Sequence, residues 1–165
     1  MRVALVTESF LPSLNGVTNS VLRVVETLKA QGHEVLIVAP TSESPEHEGF
    51  PVVTSPCVPL GGFPVAIPTP AITQTLDRFA PDLIHAAAPF WLGGQSIAYA
   101  AKKGIPSVAV YQTDVAGYME RYGLEFAGPI LEAITAAIHR PATISLAPTQ
   151  DGIEVTEMPA ARVMV

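Results

Sequence analysis

The sequence predicts an α/β protein whose core is a doubly wound parallel sheet. Three observations carry that prediction. Apolar runs of strand length alternate with longer stretches of helical periodicity. The runs are apolar at successive positions, as strands covered by helices on both faces must be. The first run feeds a loop carrying Pro12, Asn15 and Gly16 that opens a helix, which is the βα arrangement repeated in such sheets.

Taken in order, Arg2 to Thr7 is a central strand. Thr18 or Asn19 can cap the next helix, along which Val21, Leu22, Val25 and Leu28 recur at helical spacing. Gly32 at the C′ position ends it, and Glu34 to Ala39 is a second buried strand, completing a right-handed βαβ unit. Between Pro40 and Pro70 lie eight of the sixteen prolines, so loops with short edge strands are expected there, one at Val52–Thr54. Pro70 to Phe79 is a short helix with Pro70 in its first turn. Alternation then returns: strand 82–87, helix 89–103 stopped by Gly104, strand 106–111, helices 114–122 and 125–140, strand 142–147, a weak helix 149–158 and strand 161–165. A strand at the end of a chain can close a sheet or adjoin a second domain.

The composition limits what this fold does. The 165 residues are 48% hydrophobic and 15% charged, with mean hydropathy +0.36, enough for one domain with a core. Nine basic and fifteen acidic residues give a net charge of −6 and a pI near 5.1. Nucleic acid is not an expected partner, because its binders present a basic face. The Lys and Arg residues are scattered, so membrane association is expected to be weak at most. No uncharged apolar stretch reaches the eighteen or so residues of a membrane span, and the N-terminal run has strand length rather than leader length. Cys57 is the single cysteine, so no intrachain disulfide forms, which suits a reducing cytoplasm; it reads as an incidental thiol.

In open α/β sheets ligands collect at the carboxyl ends of the strands. Three clusters fall there: Glu8, Ser9, Asn15 and Gly16; Pro89, Phe90 and Trp91 with Gly93 and Gly94; and Gln112, Thr113 and Asp114. Together they describe a polar crevice with an aromatic wall. Each also has an ordinary structural reading. The Gly16 loop is either a phosphate site at a helix N-terminus or a plain βα turn. Asp114 is either functional or the N-cap of the next helix. Phe90 and Trp91 can be packing, Gly93 and Gly94 can serve close helix contact, and Glu8 can be a solvated turn residue. Among the histidines, His33 follows a helix C-terminus, His47 is solvated, His85 is a core residue and His139 lies near a helix end. None has metal-ligand spacing, so no metal is expected, and no G-x-S-x-G elbow supports esterase chemistry.

Three blocks, VTESFLPSLNGVTNSV, PDLIHAAAPFWLGG and GIPSVAVYQTDVAGYMERYG, resemble the N-terminal domain of the family 4 retaining glycosyltransferases of the GT-B fold. The nearest likeness is to actinobacterial GDP-mannose-dependent α-mannosyltransferases, which act on membrane-associated lipid acceptors. The resemblance implies that residues 1–165 are the Rossmann-like, acceptor-side half of a two-domain enzyme. The C-terminal donor-binding domain, which carries an acidic E-x₇-E pattern, lies outside this chain, and the isolated half is expected to be inactive. It implies mannose transfer from GDP-mannose to a lipid or glycan acceptor with retention of configuration, in the cytoplasm or at the inner membrane face. No cofactor is implied, the nucleotide sugar being the substrate. By resemblance, Asn15 and Gly16 meet the donor diphosphate, Phe90 and Thr113 face the acceptor, and Gln112 and Asp114 occupy catalytic positions. Gln112 stands where many members have a histidine that touches the donor sugar; glutamine can donate a hydrogen bond there but cannot become charged. Two alternatives stay open: another sugar, such as glucose or a sulfosugar, and a non-catalytic Rossmann-like binding or interaction module.

Overall fold

The computed structural model describes residues 1–60, 63–112, 128–156 and 162–163. Strand β1 (Arg2–Thr7) leads into helix α1 (Gly16–Ala30) and strand β2 (Glu34–Ala39). Short strands β3 (Glu46–His47), β4 (Phe50–Thr54), β5 (Cys57–Leu60) and β6 (Phe63–Ala66) precede helix α2 (Pro70–Phe79). Strand β7 (Leu83–Ala87), helix α3 (Trp91–Lys103) and strand β8 (Ser107–Val110) follow. Helix α4 (Gly128–His139), strand β9 (Ile144–Ala147), helix α5 (Gln150–Thr156) and strand β10 (Arg162–Val163) complete the described chain.

The main sheet has the order β10-β9-β8-β7-β1-β2-β4-β3. All its pairings are parallel except β3 with β4. Strand β1 is central because both faces of it are apolar. Ala4 and Val6 join Leu36, Val38 and Ile84 under α2 and α3, where Ile72, Leu76, Leu92 and Ala100 are buried. Leu5 joins Val35 and Ile37 on the opposite face, under Val21 and Val25 of α1 and beside Phe10. Each Val, Leu or Ile side chain taken from water contributes about 1.5–3 kcal/mol. The sheet order reverses between β1 and β7, since the chain runs from β1 toward β2 and later returns to the other side. Thr7 is level with Ala87, and Ala87 with Val110, so the loops after β1, β7 and β8 leave from one rim.

Helix α1 ends as expected. Gly32 adopts φ +72°, its N–H donates to Lys29 O, and His33 N donates to Leu28 O at 3.0 Å, which satisfies the last carbonyls. Its start differs from expectation. Asn15, not Thr18 or Asn19, is the N-cap, because its Oδ1 accepts from Thr18 N at 3.0 Å. The proline-rich stretch also holds more strand than expected. Strand β4 pairs in parallel with β2, Ile37 beside Val52, and β5 and β6 form a separate antiparallel ribbon. Pro59 faces Pro64 in that ribbon. A two-stranded ribbon has outward-facing N–H groups, so opposed prolines at a non-hydrogen-bonded pair remove no ladder bond. The helix expected over 114–122 lies outside the described residues.

Candidate functional site

The loop after β1 is held by its own polar side chains. Ser9 N donates to Thr7 Oγ1 at 3.2 Å, and Thr7 Oγ1 donates to Ser9 O at 2.8 Å. Asn15 Nδ2 donates to Ser9 Oγ at 2.7 Å, and Ser9 Oγ lies 3.1 Å from Thr18 Oγ1. Phe10, fully buried and edge-on to His47, anchors the loop from below. His47 is therefore a packing partner and not the freely solvated residue expected.

This fixed loop presents Gly16 as the first residue of α1. A Cβ on Gly16 would meet nothing within 4 Å, so the helix N-terminus opens onto free space. The first turn carries no acidic side chain. The first N–H groups of a helix have no partner inside it, and the dipole places positive potential there. This end of α1 can therefore receive an anion. The Asn15 side chain is used in the cap, so it orients the loop.

The second cluster is tied to the first by Glu8. Its Oε1 accepts from Phe90 N and from Gly93 N, both at 2.9 Å. Helix α3 has no capping side chain of its own, since Phe90 stands at its N-cap. Glu8 supplies that cap from 82 residues away. Burial pushes the Glu8 carboxyl up, and the backbone N–H groups of Gly93, Phe90 and Leu92 only partly counter it. The solvated-turn reading of Glu8 is thus overturned, because the carboxylate closes α3 against the end of β1. The two glycines serve close approach: a Cβ on Gly93 would sit 2.4 Å from Pro89 Cβ, and one on Gly94 would sit 3.3 Å from Ile138 of α4. Phe90 is half-buried and packs edge-on against Trp91, with centroids 5.0 Å apart, while Trp91 is exposed.

Gln112 joins the third cluster to the first, since its Nε2 donates to Ser20 Oγ of α1 at 3.2 Å. Asn15, Gly16, Phe90 and Gln112 are thereby brought to one rim. Thr113 and Asp114 lie outside the described residues. Behind Phe90 and Gln112 is a small cavity that Tyr111, Thr135 and His139 also line. His139 is fully buried, with Nδ1 2.9 Å from Ser145 Oγ, and burial lowers its pKa to about 4. Sequence reasoning placed His139 only near a helix end. The available signal was its i, i+4 spacing from Thr135 on an apolar helix, which puts both on one face. His85 is half-buried rather than the fully buried core histidine expected: it sits in β7 between Leu5 and Val108, and burial lowers its pKa to about 4. Among the described residues no group of three or more His, Cys, Asp or Glu could hold a metal ion. No helix among them is long and apolar enough to cross a membrane.

Residues 14–157 match the family model described as Glycosyltransferase Family 4. A GDP-mannose-dependent α-mannosyltransferase of Corynebacterium glutamicum is 44% identical over 162 residues, covering 93% of this chain and 39% of that protein. One from Mycolicibacterium smegmatis is 44% identical over 163 residues, covering 93% of this chain and 44% of that protein. The chain thus spans about two fifths of the length of these curated relatives. Among solved structures, an α-glucosyltransferase in complex with UDP and DNA superposes with TM-score 0.50 at 16% identity, over 99% of this chain and 40% of that one, a likeness of fold. With most of its length matched to the family model, and with its rim of loops built around the start of α1, the chain belongs to glycosyltransferase family 4.

Proposed function

We propose that this chain is the acceptor-side, N-terminal domain of a retaining mannosyltransferase that uses GDP-mannose, a second domain supplying most of the nucleotide-sugar site. The observation that carries the proposal is the open N-terminus of α1 at Gly16, set at the point where the sheet order reverses. The names of the relatives support GDP-mannose as donor. In this reading the donor diphosphate sits against Gly16. As the sugar–phosphate bond breaks, the leaving diphosphate gains charge and the sugar becomes oxocarbenium-like. The fixed N–H groups of α1 stabilise that charge without reorganising. Gln112, held by Ser20, offers an amide to the sugar, Phe90 walls the acceptor side, and Thr113 and Asp114 complete the acceptor loop.

Closure of the two domains would exclude water and align the acceptor hydroxyl. The hydroxyl proton passes to the donor phosphate, so no general base is required from this half. No cofactor takes part, the acceptor is a lipid or glycan, and the protein works in the cytoplasm at the inner membrane face with weak attachment. The test is transfer by the full-length protein, with donors GDP-mannose, GDP-glucose, UDP-glucose and UDP-sulfoquinovose, and NMR of the product anomer. An α-mannosylated product from GDP-mannose is expected. Transfer from another donor would replace mannose in this reading, and no transfer to any lipid or glycan acceptor would leave a non-catalytic binding module.

A further inference from the structure

The cavity behind Phe90 is a separate feature of the rim. It lies between the ends of β7 and β8 and helix α4, and the fully buried His139 is one of its polar lining residues. Nδ1 of His139 is engaged by Ser145, yet Nε2 is buried and has no hydrogen-bond partner. A buried polar atom left unpaired costs about 1–3 kcal/mol, so its retention calls for an explanation. Thr135, one turn earlier on α4, and Gln112, at the end of β8, line the same space.

The chemistry narrows the occupant. His139 is neutral at physiological pH, because burial lowers its pKa to about 4, so nothing there attracts an anion. Depending on tautomer, Nε2 is a donor or an acceptor, and a hydroxyl can answer either. The space, about 20 Å³ and open on one side, has room for one group the size of a water molecule. Gln112 reaches from this cavity to α1, so the cavity adjoins the place proposed for the donor.

We infer that this cavity is a subsite for one hydroxyl or hydroxymethyl group of the acceptor, read by Nε2 of His139 with Thr135. The inference rests on the glycosyl-transfer reading for the word acceptor, but the cavity's preference for a neutral hydroxyl stands on its own geometry. His139 is here a specificity-determining residue and not a catalytic one.

The experiment uses full-length protein labelled with ¹⁵N-histidine. The His139 ring signals are assigned by their loss in His139→Asn and followed while methyl α-D-mannopyranoside or glycerol is added. A saturable shift of Nε2 is expected, weakened about three- to tenfold in Thr135→Val, the worth of one hydrogen bond. In transfer assays His139→Asn, which keeps only the Nδ1 position, should raise the acceptor KM with the GDP-mannose KM unchanged. His139→Gln, which restores a polar group at the Nε2 position, should recover it. Where the His139 variants do not fold, the ring signals are assigned by their through-space contacts to Tyr111 and Ser145, and the wild-type titration and Thr135→Val decide. An unmoved Nε2 signal in a protein that transfers mannose overturns the subsite and leaves the mannosyltransferase reading standing. A moving signal in a protein that transfers nothing upholds the hydroxyl subsite and removes that reading.

Discussion

Replacing Glu8 by alanine removes the side-chain acceptor that Phe90 N–H and Gly93 N–H share at the start of α3. Each buried donor left unpaired costs about 1–3 kcal/mol, which gives about 2–6 kcal/mol for the pair. Part of this is returned, because burial already disfavours the ionised carboxyl. The net loss should be about 2–4 kcal/mol, which lowers the melting temperature by about 4–16 °C in a domain of this size. Glutamine keeps an acceptor oxygen and loses the charge, so Glu8→Gln should stay within about 1 kcal/mol of wild type.

The pH dependence separates charge from hydrogen bonding. The folded carboxyl has a raised pKa, so the folded state holds this proton more tightly than the unfolded state. The stabilisation is therefore greatest below the unfolded carboxyl pKa and is lost as pH rises through the folded one. The Gln variant lacks that component. Urea titrations of wild type and both variants across this acidic range test the sign, with wild type gaining on Gln as pH falls. An alanine variant within about 1 kcal/mol of wild type, together with a pH-independent gap between wild type and Gln, would refute the capping role.

Three further outcomes follow from the same geometry. Gly93→Ala places a Cβ 2.4 Å from Pro89 Cβ, on a rigid ring, and should cost about 1–3 kcal/mol in thermal denaturation; an unshifted melt would mean the loop yields freely. A Cβ at Gly16 meets nothing within 4 Å, so in Gly16→Val stability should hold within about 0.5 kcal/mol while transfer by the full-length enzyme falls about a hundredfold, and unchanged kinetics would remove the phosphate role. Phe10→Ala empties a fully buried site beneath the β1–α1 loop and should cost about 3–5 kcal/mol by urea denaturation, a loss under 1 kcal/mol showing that the loop holds without its anchor.

The parallel strands were legible because burial on both faces leaves a continuous apolar run. Glu34–Ala39 and Pro70–Phe79 carry the bounds expected from sequence. The cap of α1 was misplaced by three or four residues because Asn15, Thr18 and Asn19 all have capping side chains, and the choice is made by Ser9, which holds Asn15 in place. The β5–β6 ribbon was hidden because prolines signal loops, whereas two prolines opposite one another fit a narrow ribbon. The common rim position of Gly16, Phe90 and Gln112 was legible by counting from strand ends, a local operation. Glu8 and His139 were not, because their meaning depends on partners supplied by distant strands and helices: Phe90 and Gly93 for one, Ser145 and the wall of β8 for the other.

The central place of β1 has a consequence for biosynthesis. Strand β2 can dock on β1 as soon as the first βαβ unit has emerged, but the opposite edge of β1 is answered only by β7. About 45 residues separate Ala39 from Leu83, so at about 5–20 residues per second that edge waits roughly 2–9 s on the ribosome. During that interval a strand apolar on both faces offers unpaired N–H and C=O groups to any neighbouring nascent chain. Slow decoding between Ala39 and Leu83 would lengthen this exposure, so the yield of folded protein should be more sensitive to translation speed in that interval than in any later part of the gene.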